Sequence, residues 1–336
     1  MKAMMLREIG ETSQLKLEEV ETPKPDSGEV VIKLKAAALN RRDLMVLHGQ
    51  YPGIKLPAIP GSDGAGEIVA VGNEINNIST GDKVIINPGL NWGNDMNKKR
   101  ADFTILGVPS NGTYAQYVKV PAENVYPKPS HLSWEEAAAL PLAGLTAYRA
   151  MVTKGKVTKG ENVLIPGVGG GVATYLVQFA SALGANVYVT SSKEEKINKA
   201  KDFGATEGVN YTAENWTEEL ENLTGGIDLS VDSIAGEMFK TLISLGKIGS
   251  RIVSFGATRG PVPNLILPTM TVKEISVIGS TMGSPQDFAD MVDFVEKHEI
   301  HPILDKTYSL EEAPEALARM EKGENFGKIV LSIPQD

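Results

Sequence analysis

Residues 163–173, Val-Leu-Ile-Pro-Gly-Val-Gly-Gly-Gly-Val-Ala, constrain this chain more than any other stretch. They read as a short apolar strand, a glycine-rich turn and the opening of a helix. Val172, Tyr175, Leu176, Phe179, Ala180 and Leu183 then fall at i, i+3, i+4, i+7, i+8 and i+11, one apolar stripe on a helix that Gly184 stops. Glycines let a backbone turn sharply and let a pyrophosphate approach it. The helix start offers unpaired N–H groups and the positive end of its dipole. The fit to G-x-G-x-x-G is incomplete. Counted from Gly167, the third glycine position holds Val172; shifted by one, Gly170 and Ala173 fit but Val168 stands first. A tight βα turn without a ligand is the alternative at this point, and the sequence that follows decides against it.

That sequence keeps alternating. Residues 186–190 read as a strand, 193–203 as a helix closed by Gly204, 228–232 as a strand and 239–245 as a helix. Residues 251–255 and 274–278 read as two more strands. Such repetition predicts a parallel, doubly wound sheet with right-handed crossovers.

A chain of 336 residues exceeds one ordinary core, so two domains are expected. The first 120 residues have a different rhythm. Strands are expected at 30–35, 66–71, 83–86 and 114–120, with Gly72-Asn73 and Gly81-Asp82 as turns between them, which describes a compact β-rich domain. Ser133-Trp134-Glu135-Glu136 is a capping box opening a helix through Leu140. In the tail, helices are expected near 287–297 and 313–322 and a strand at 328–331.

Composition removes several chemistries. With no cysteine, disulfides, thiolate metal sites and cysteine nucleophiles are excluded. The net charge of −9 argues against general affinity for nucleic acid or anionic membrane. No apolar run approaches the ~20 residues of a membrane span, and residues 1–10 do not read as a secretory signal, so a cytoplasmic location is expected. The histidines are His48, His131, His298 and His301. His298 and His301 are spaced for one helical face, with a solvated helix end as the plainer reading.

The second strand of a dinucleotide unit usually ends in an acidic residue for the ribose hydroxyls. Here it ends Thr190-Ser191-Ser192-Lys193, with Lys196 just beyond. A hydroxyl and lysines suit a 2′-phosphate that a carboxylate would repel, so NADP(H) is expected over NAD(H). A merely solvated helix face is the alternative for the lysines.

Taken together, the chain resembles the medium-chain dehydrogenase/reductase superfamily, and within it the zinc-free quinone oxidoreductase branch, from about Met1 to Leu331. The resemblance rests on Ala37-Ala38-Leu39-Asn40-Arg41-Arg42-Asp43 with Gly49-Gln50-Tyr51-Pro52, on Pro60-Gly61-Ser62-Asp63-Gly64-Ala65-Gly66-Glu67, and on Gly144-Leu145-Thr146-Ala147-Tyr148. Gly204-Ala205-Thr206, Asp232-Ser233 and Gly327-Lys328-Ile329-Val330 add to it. It implies a GroES-like catalytic domain over 1–121 and 280–336 and an NADP(H)-binding Rossmann domain over 122–279, with the active site in the cleft between them. Zinc-dependent relatives place Cys at Asn40 and His-Glu at Ser62-Asp63, and insert a four-cysteine lobe near 88–110; this chain has none of these, and no metal is expected. An atypical site rebuilt from His48 and Asp43 is the alternative.

The resemblance implies Asn40 as a donor to the acceptor oxygen and Tyr51 as a donor or proton relay, with a turn residue and simple packing as their plainer readings. For the cofactor it implies Thr146, the turn Gly169, Gly170, Gly171 and Val172, the adenosine-end residues Ser191, Lys193, Lys196 and Tyr211, the strand ends Gly256, Ala257, Gly279 and Ser280, and Asn325 and Lys328 closing over it. The expected activity is NADPH-dependent hydride transfer to a quinone or conjugated enone. An alcohol or aldehyde dehydrogenase with an atypical metal site and a non-catalytic NADPH-binding protein are the alternatives. The expected partners are the small-molecule substrate and a second copy of the chain, joined through strands at 274–279, with a tetramer also permitted.

Overall fold

The computed structural model describes residues 1–335. Contacts divide it into two compact units: residues 1–143 with the chain from 284 onward, and residues 144–283.

The contiguous unit is built on a six-stranded parallel sheet. Across the sheet its strands run Glu207–Asn210, Asn186–Ser191, Asn162–Ile165, Ile227–Asp232, Gly246–Ser254, Ser276–Gly279. In chain order this is 3-2-1-4-5-6, the doubly wound arrangement in which strand order reverses beside the first strand. A sheet covered on both faces needs apolar side chains pointing both ways. Val163, Leu164, Val187, Val189, Leu229, Val231 and Val253 meet that need, all at 1% exposure or less. The helix Gly171–Ala182 lays Tyr175, Leu176, Phe179 and Ala180 on the sheet, the stripe expected from sequence. Helices Glu194–Asp202, Trp216–Thr224, Met238–Leu245 and Leu267–Val272 complete the crossovers.

The discontinuous unit holds a seven-stranded sheet. Leu304–Ser309, Lys328–Ser332, Glu29–Ala38, Asp63–Val71, Lys83–Ile86 and Val125–Pro127 follow one another across it, and Tyr117–Pro121 also pairs with Glu29–Ala38. Register fixes what matters for the site. Ala38 lies opposite both Asp63 and Val330, so residues 38–40, 63 and 328 gather at one end of the sheet. The core beneath is Val30, Ile32, Leu34, Ile68, Tyr114, Val118, Ile329 and Leu331 with their neighbours.

The boundary after the β-rich segment lies at 143/144 rather than 121/122, and the return boundary at 283/284 rather than 279/280. Val125–Pro127 extends the first unit's sheet by pairing with Lys83–Ile86. The expected capping box of Ser133 and Glu136 starts the helix Trp134–Ala139 within that same unit. Gly283 belongs with the second unit, where its Cα packs so closely on Leu145 that a Cβ would lie 2.4 Å from it.

Strands Glu207–Asn210 and Leu304–Ser309 were not expected from sequence. Both are short, polar and at sheet edges, where pairing overrides weak propensity. The hairpin of Lys2–Leu6 and Leu15–Glu19 also went unpredicted. Among the described residues no helix is long and apolar enough to cross a membrane.

Candidate active site

In the contiguous unit the glycine turn links the strand Asn162–Ile165 to the helix Gly171–Ala182. Val168 N–H donates to the Thr190 carbonyl (2.8 Å) and Gly167 N–H to Thr190 Oγ1 (3.1 Å), which pins the turn to the neighbouring strand. Gly169 sits at φ +140°, a conformation other residues rarely hold, and a Cβ there would lie 3.0 Å from Lys196 Nζ. Gly170 is the N-cap of the following helix with no side chain capping it, and nothing lies within 4 Å of where its Cβ would be. The first N–H groups of the helix therefore face an open cradle with an ammonium at its rim. This arrangement fits a pyrophosphate.

The other expected cofactor residues of this unit share that end of the sheet. Ser191 ends its strand 4% exposed, and its Oγ accepts from Lys193 N–H (3.3 Å). Tyr211 N–H donates to the Ser191 carbonyl (3.1 Å), so the two sit side by side. Gly256, Ala257, Gly279 and Ser280 lie at or just past the carboxyl ends of the last two strands, where Ser280 N–H reaches the Ser254 carbonyl (2.8 Å). Thr146 is 7% exposed on the helix Pro141–Tyr148. At the end of the fourth strand, Asp232 accepts from the Ile234 and Ala235 N–H groups (2.8 and 3.0 Å); burial pushes its carboxyl up, against the pull of those two bonds.

Asn325 and Lys328 belong to the discontinuous unit, and their side chains bond to partners within it. Asn325 Nδ2 donates to the Gly327 carbonyl (2.9 Å). Lys328 is 3% exposed, and its ammonium donates to the Leu39 carbonyl (2.6 Å), Asn40 Oδ1 (2.9 Å) and Asp63 Oδ2 (3.0 Å). An ammonium has three donors, and all three are used. Lys328 is thus an internal counter-ion of its unit, where its sequence position had suggested a cofactor contact.

Asn40 stands at the centre of the same cluster. Its Nδ2 donates to Asp63 Oδ2 (2.9 Å), while Asp63 Oδ1 accepts from Leu142 N–H (2.8 Å). Asn40 N–H donates to Asp43 Oδ2 (2.8 Å), which also accepts from the Tyr114 hydroxyl (2.7 Å). Burial pushes Asp43 up, opposed by Arg42, by the Tyr114 and Asn40 hydrogen bonds and by Lys328; burial and Asp43 together push the Tyr114 hydroxyl well up. Gly61, at φ +95° with its Cα against the Tyr114 ring, turns the chain so that Ser62 and Asp63 face inward. Arg42 Nη1 donates to Ser62 Oγ (2.6 Å) and the Leu106 carbonyl (2.9 Å), and its guanidinium carbon lies 4.4 Å from the Tyr51 ring centroid. Tyr51 is half-buried.

Two family models match this chain: an alcohol dehydrogenase GroES-like domain over residues 26–130 and a zinc-binding dehydrogenase domain over 171–297. A zinc-type alcohol dehydrogenase-like protein of Schizosaccharomyces pombe is 38% identical, covering 97% of both chains. The chain is a medium-chain dehydrogenase/reductase. An alcohol dehydrogenase of Geobacillus stearothermophilus is 33% identical over all of both chains, and an acryloyl-coenzyme A reductase of Sulfurisphaera tokodaii is 30% identical over 94% of this chain and 96% of its own. A crystal structure of an NAD-dependent alcohol dehydrogenase superposes with a TM-score of 0.95 at 37% identity, covering 99% of this chain and 100% of that one. The protein is therefore an oxidoreductase of this superfamily, with its Rossmann-type and GroES-like parts.

Many members carry zinc, and the residues here do not fit one. Of the three oxygen-bearing side chains that stand where a metal would be held, Asn40 and Asp63 already share the Lys328 ammonium, and Ser62 is engaged by Arg42 while donating to the Leu106 carbonyl (2.7 Å). A zinc ion would have to sit beside a buried ammonium and a guanidinium, without any nitrogen or sulfur ligand. His48 does not rebuild the set: its ring nitrogens meet the Gly10 carbonyl (2.9 Å) and Glu321 (2.8 Å). His301 meets Glu136 (2.8 Å), and His298 caps the helix Pro285–Lys297. Among the described residues no three His, Cys, Asp or Glu side chains gather as a metal set.

Sequence reasoning missed Arg42 and the partnership of Lys328 with Asp63. A charged residue inside the run Leu39–Leu47 was the signal for the first. Nothing local signals the second, because 265 residues separate the pair.

Proposed function

We propose that this dehydrogenase/reductase uses NADP(H) to reduce conjugated carbonyl compounds, quinones or enones, without zinc. The observation that carries the reading is the Lys328 ammonium between Asn40 and Asp63, a fixed positive charge among the side chains that would otherwise hold a metal. Bound dinucleotide supplies the hydride. The chain binds its pyrophosphate at the turn 169–172 and its adenosine end at Ser191, Lys193, Lys196 and Tyr211. The lack of a carboxylate at Ser191 and the lysines beyond it favour a 2′-phosphate. A conjugated acceptor spreads incoming charge through its own π system, so hydrogen-bond donors can replace a Lewis acid. Asn40 holds its amide in place through Asp63 and Lys328, and the half-buried Tyr51 hydroxyl serves as proton relay. The acryloyl-coenzyme A reductase among the relatives acts, by its name, on a conjugated acyl group, and this favours an enone-type acceptor here. We also propose a homodimer joined along Ser276–Gly279. That strand is at a sheet edge, and Ile248, Val272 and Val277 near it are exposed.

The test is loss of NADPH absorbance with a panel of quinones, enones and aldehydes in the presence of a chelator, repeated with NADH. Turnover of quinones or enones, faster with NADPH, is expected. Activity confined to alcohols and aldehydes and abolished by the chelator would restore the metal-dependent dehydrogenase.

A further inference from the structure

The cluster around Asn40 contains two buried cations, and only one of them is fully occupied. Lys328 has all three donors on protein oxygens. Arg42, 8% exposed, uses Nη1 twice and stacks its guanidinium on Tyr51, but its Nε and Nη2 are buried and have no hydrogen-bond partner among the described residues. Those two atoms form one edge of the guanidinium fork. Three other arginines of this unit put that same edge on a carboxylate: Arg7 on Glu18 (2.8 and 2.7 Å), Arg100 on Asp102 (2.8 and 2.9 Å) and Arg319 on Asp305 (2.6 and 3.2 Å). Arg42 does not pair in this way with the carboxylates of its cluster. Both oxygens of Asp63 are taken by Asn40, Lys328 and Leu142. Asp43 gives Oδ2 to Asn40 and Tyr114, and its Oδ1 is itself without a partner.

A buried donor left unpaired is costly, and more so when charged, so a buried edge left unpaired in this way is a place to look for a ligand. A guanidinium keeps its charge at any working pH and grips oxygen anions with two parallel N–H groups. We propose that the Nε–Nη2 edge of Arg42 is an oxyanion site, holding the acceptor oxygen on which negative charge gathers during reduction. This deepens the function proposed above and rests on it for the substrate class. Hydride from the reduced dinucleotide, the reductant, forms a C–H bond at the β carbon of the conjugated carbonyl. The C=C π pair shifts to make the enolate, whose charge rests on oxygen between the two Arg42 N–H groups. A proton from water, directly or through Tyr51, then reaches the α carbon. Net, one hydride and one proton are added, and the dinucleotide is left oxidised.

The test has an arm that needs no turnover. Binding of 4-nitrophenolate, a stable mimic of an enolate oxygen, is followed by its absorbance in protein without dinucleotide. Arg42→Ala is expected to weaken it at least about tenfold and to lower kcat about 100-fold on an enone, with KM changed less than about threefold. Guanidinium ion added at low concentration is expected to restore part of the kcat of Arg42→Ala, which repair of a merely structural defect would not show. Arg42→Lys keeps charge and bulk and serves if the alanine variant does not fold; it should retain some phenolate affinity and lose most of kcat, since the second donor is gone. Equal phenolate binding by wild type and both variants would overturn the proposal, as would a rise in KM at unchanged kcat, the mark of a ground-state anchor. Phenolate binding that requires Arg42 in a protein inert toward every conjugated carbonyl would leave the oxyanion site standing and overturn the reductase reading instead.

Discussion

The two units build their polar clusters in opposite ways. In the contiguous unit the cradle is backbone: residues 167–172 supply a turn, an uncapped helix start and space where a Cβ would intrude, with a lysine at the rim. In the discontinuous unit the cluster is side chain against side chain, assembled from residues near 40, 63, 106, 114 and 328. A backbone cradle depends on a few glycines in a row. A side-chain cluster depends on partners that mean nothing until the sheet brings them together, and each becomes a liability if its partner is lost.

The sharpest way to break this comparison is Lys328→Met. Removing the ammonium leaves Asp63 buried at 0% exposure without its cation, and a loss of roughly 3–5 kcal/mol is expected in denaturant unfolding. A loss below about 1 kcal/mol would mean that the cluster does not depend on paired charge. Gly169→Ala probes the other unit. At φ +140° a side chain is strained, and about 1–3 kcal/mol of stability should be lost together with dinucleotide affinity. Unchanged NADPH affinity in a folded Gly169→Ala protein would remove the turn from the cofactor site.

A smaller effect sharpens the picture of the side-chain cluster. Burial raises the Asp43 carboxyl above its unfolded value. The sign follows from linkage: the folded state then holds the proton more tightly, so Asp43 contributes most below the unfolded carboxylate range, and that contribution is lost as pH rises through the raised value. The stability gap between wild type and Asp43→Asn should therefore narrow with rising pH, measured by urea unfolding across the acid to neutral range. A gap that widens would show that Arg42 and the hydrogen bonds to Asp43 outweigh its burial.

How much of this was legible follows the same division. The parallel sheet, its stripe-bearing helix and the glycine turn lie within continuous segments, and periodicity with turn chemistry places them to within a few residues. Residues Ser191 and Tyr211 were placed at one site, and backbone pairing of adjacent strands does bring them together. Asn40 was singled out, but its partners were hidden. Lys328 was expected to close over the cofactor, and its partners were hidden because antiparallel register, not sequence proximity, brings it against Leu39. Arg42 was not singled out, because its contacts with Tyr51 and Ser62 exist only in the folded chain.

The pairing of Lys328 with the Leu39 carbonyl has a consequence for how the molecule is made. A ribosome releases the whole of residues 144–283 before residue 328 exists, so the parallel sheet has its complete sequence and can close on local contacts while synthesis continues. The other unit must wait. Its strand Glu29–Ala38 remains without its neighbour Lys328–Ser332, and Asp63 without its cation, until residues 328–332 have been made. For that interval the nascent chain carries a sheet edge without its neighbour and an acid without its cation, so the early part stays open to mispairing while residues 144–283 already have their complete sequence.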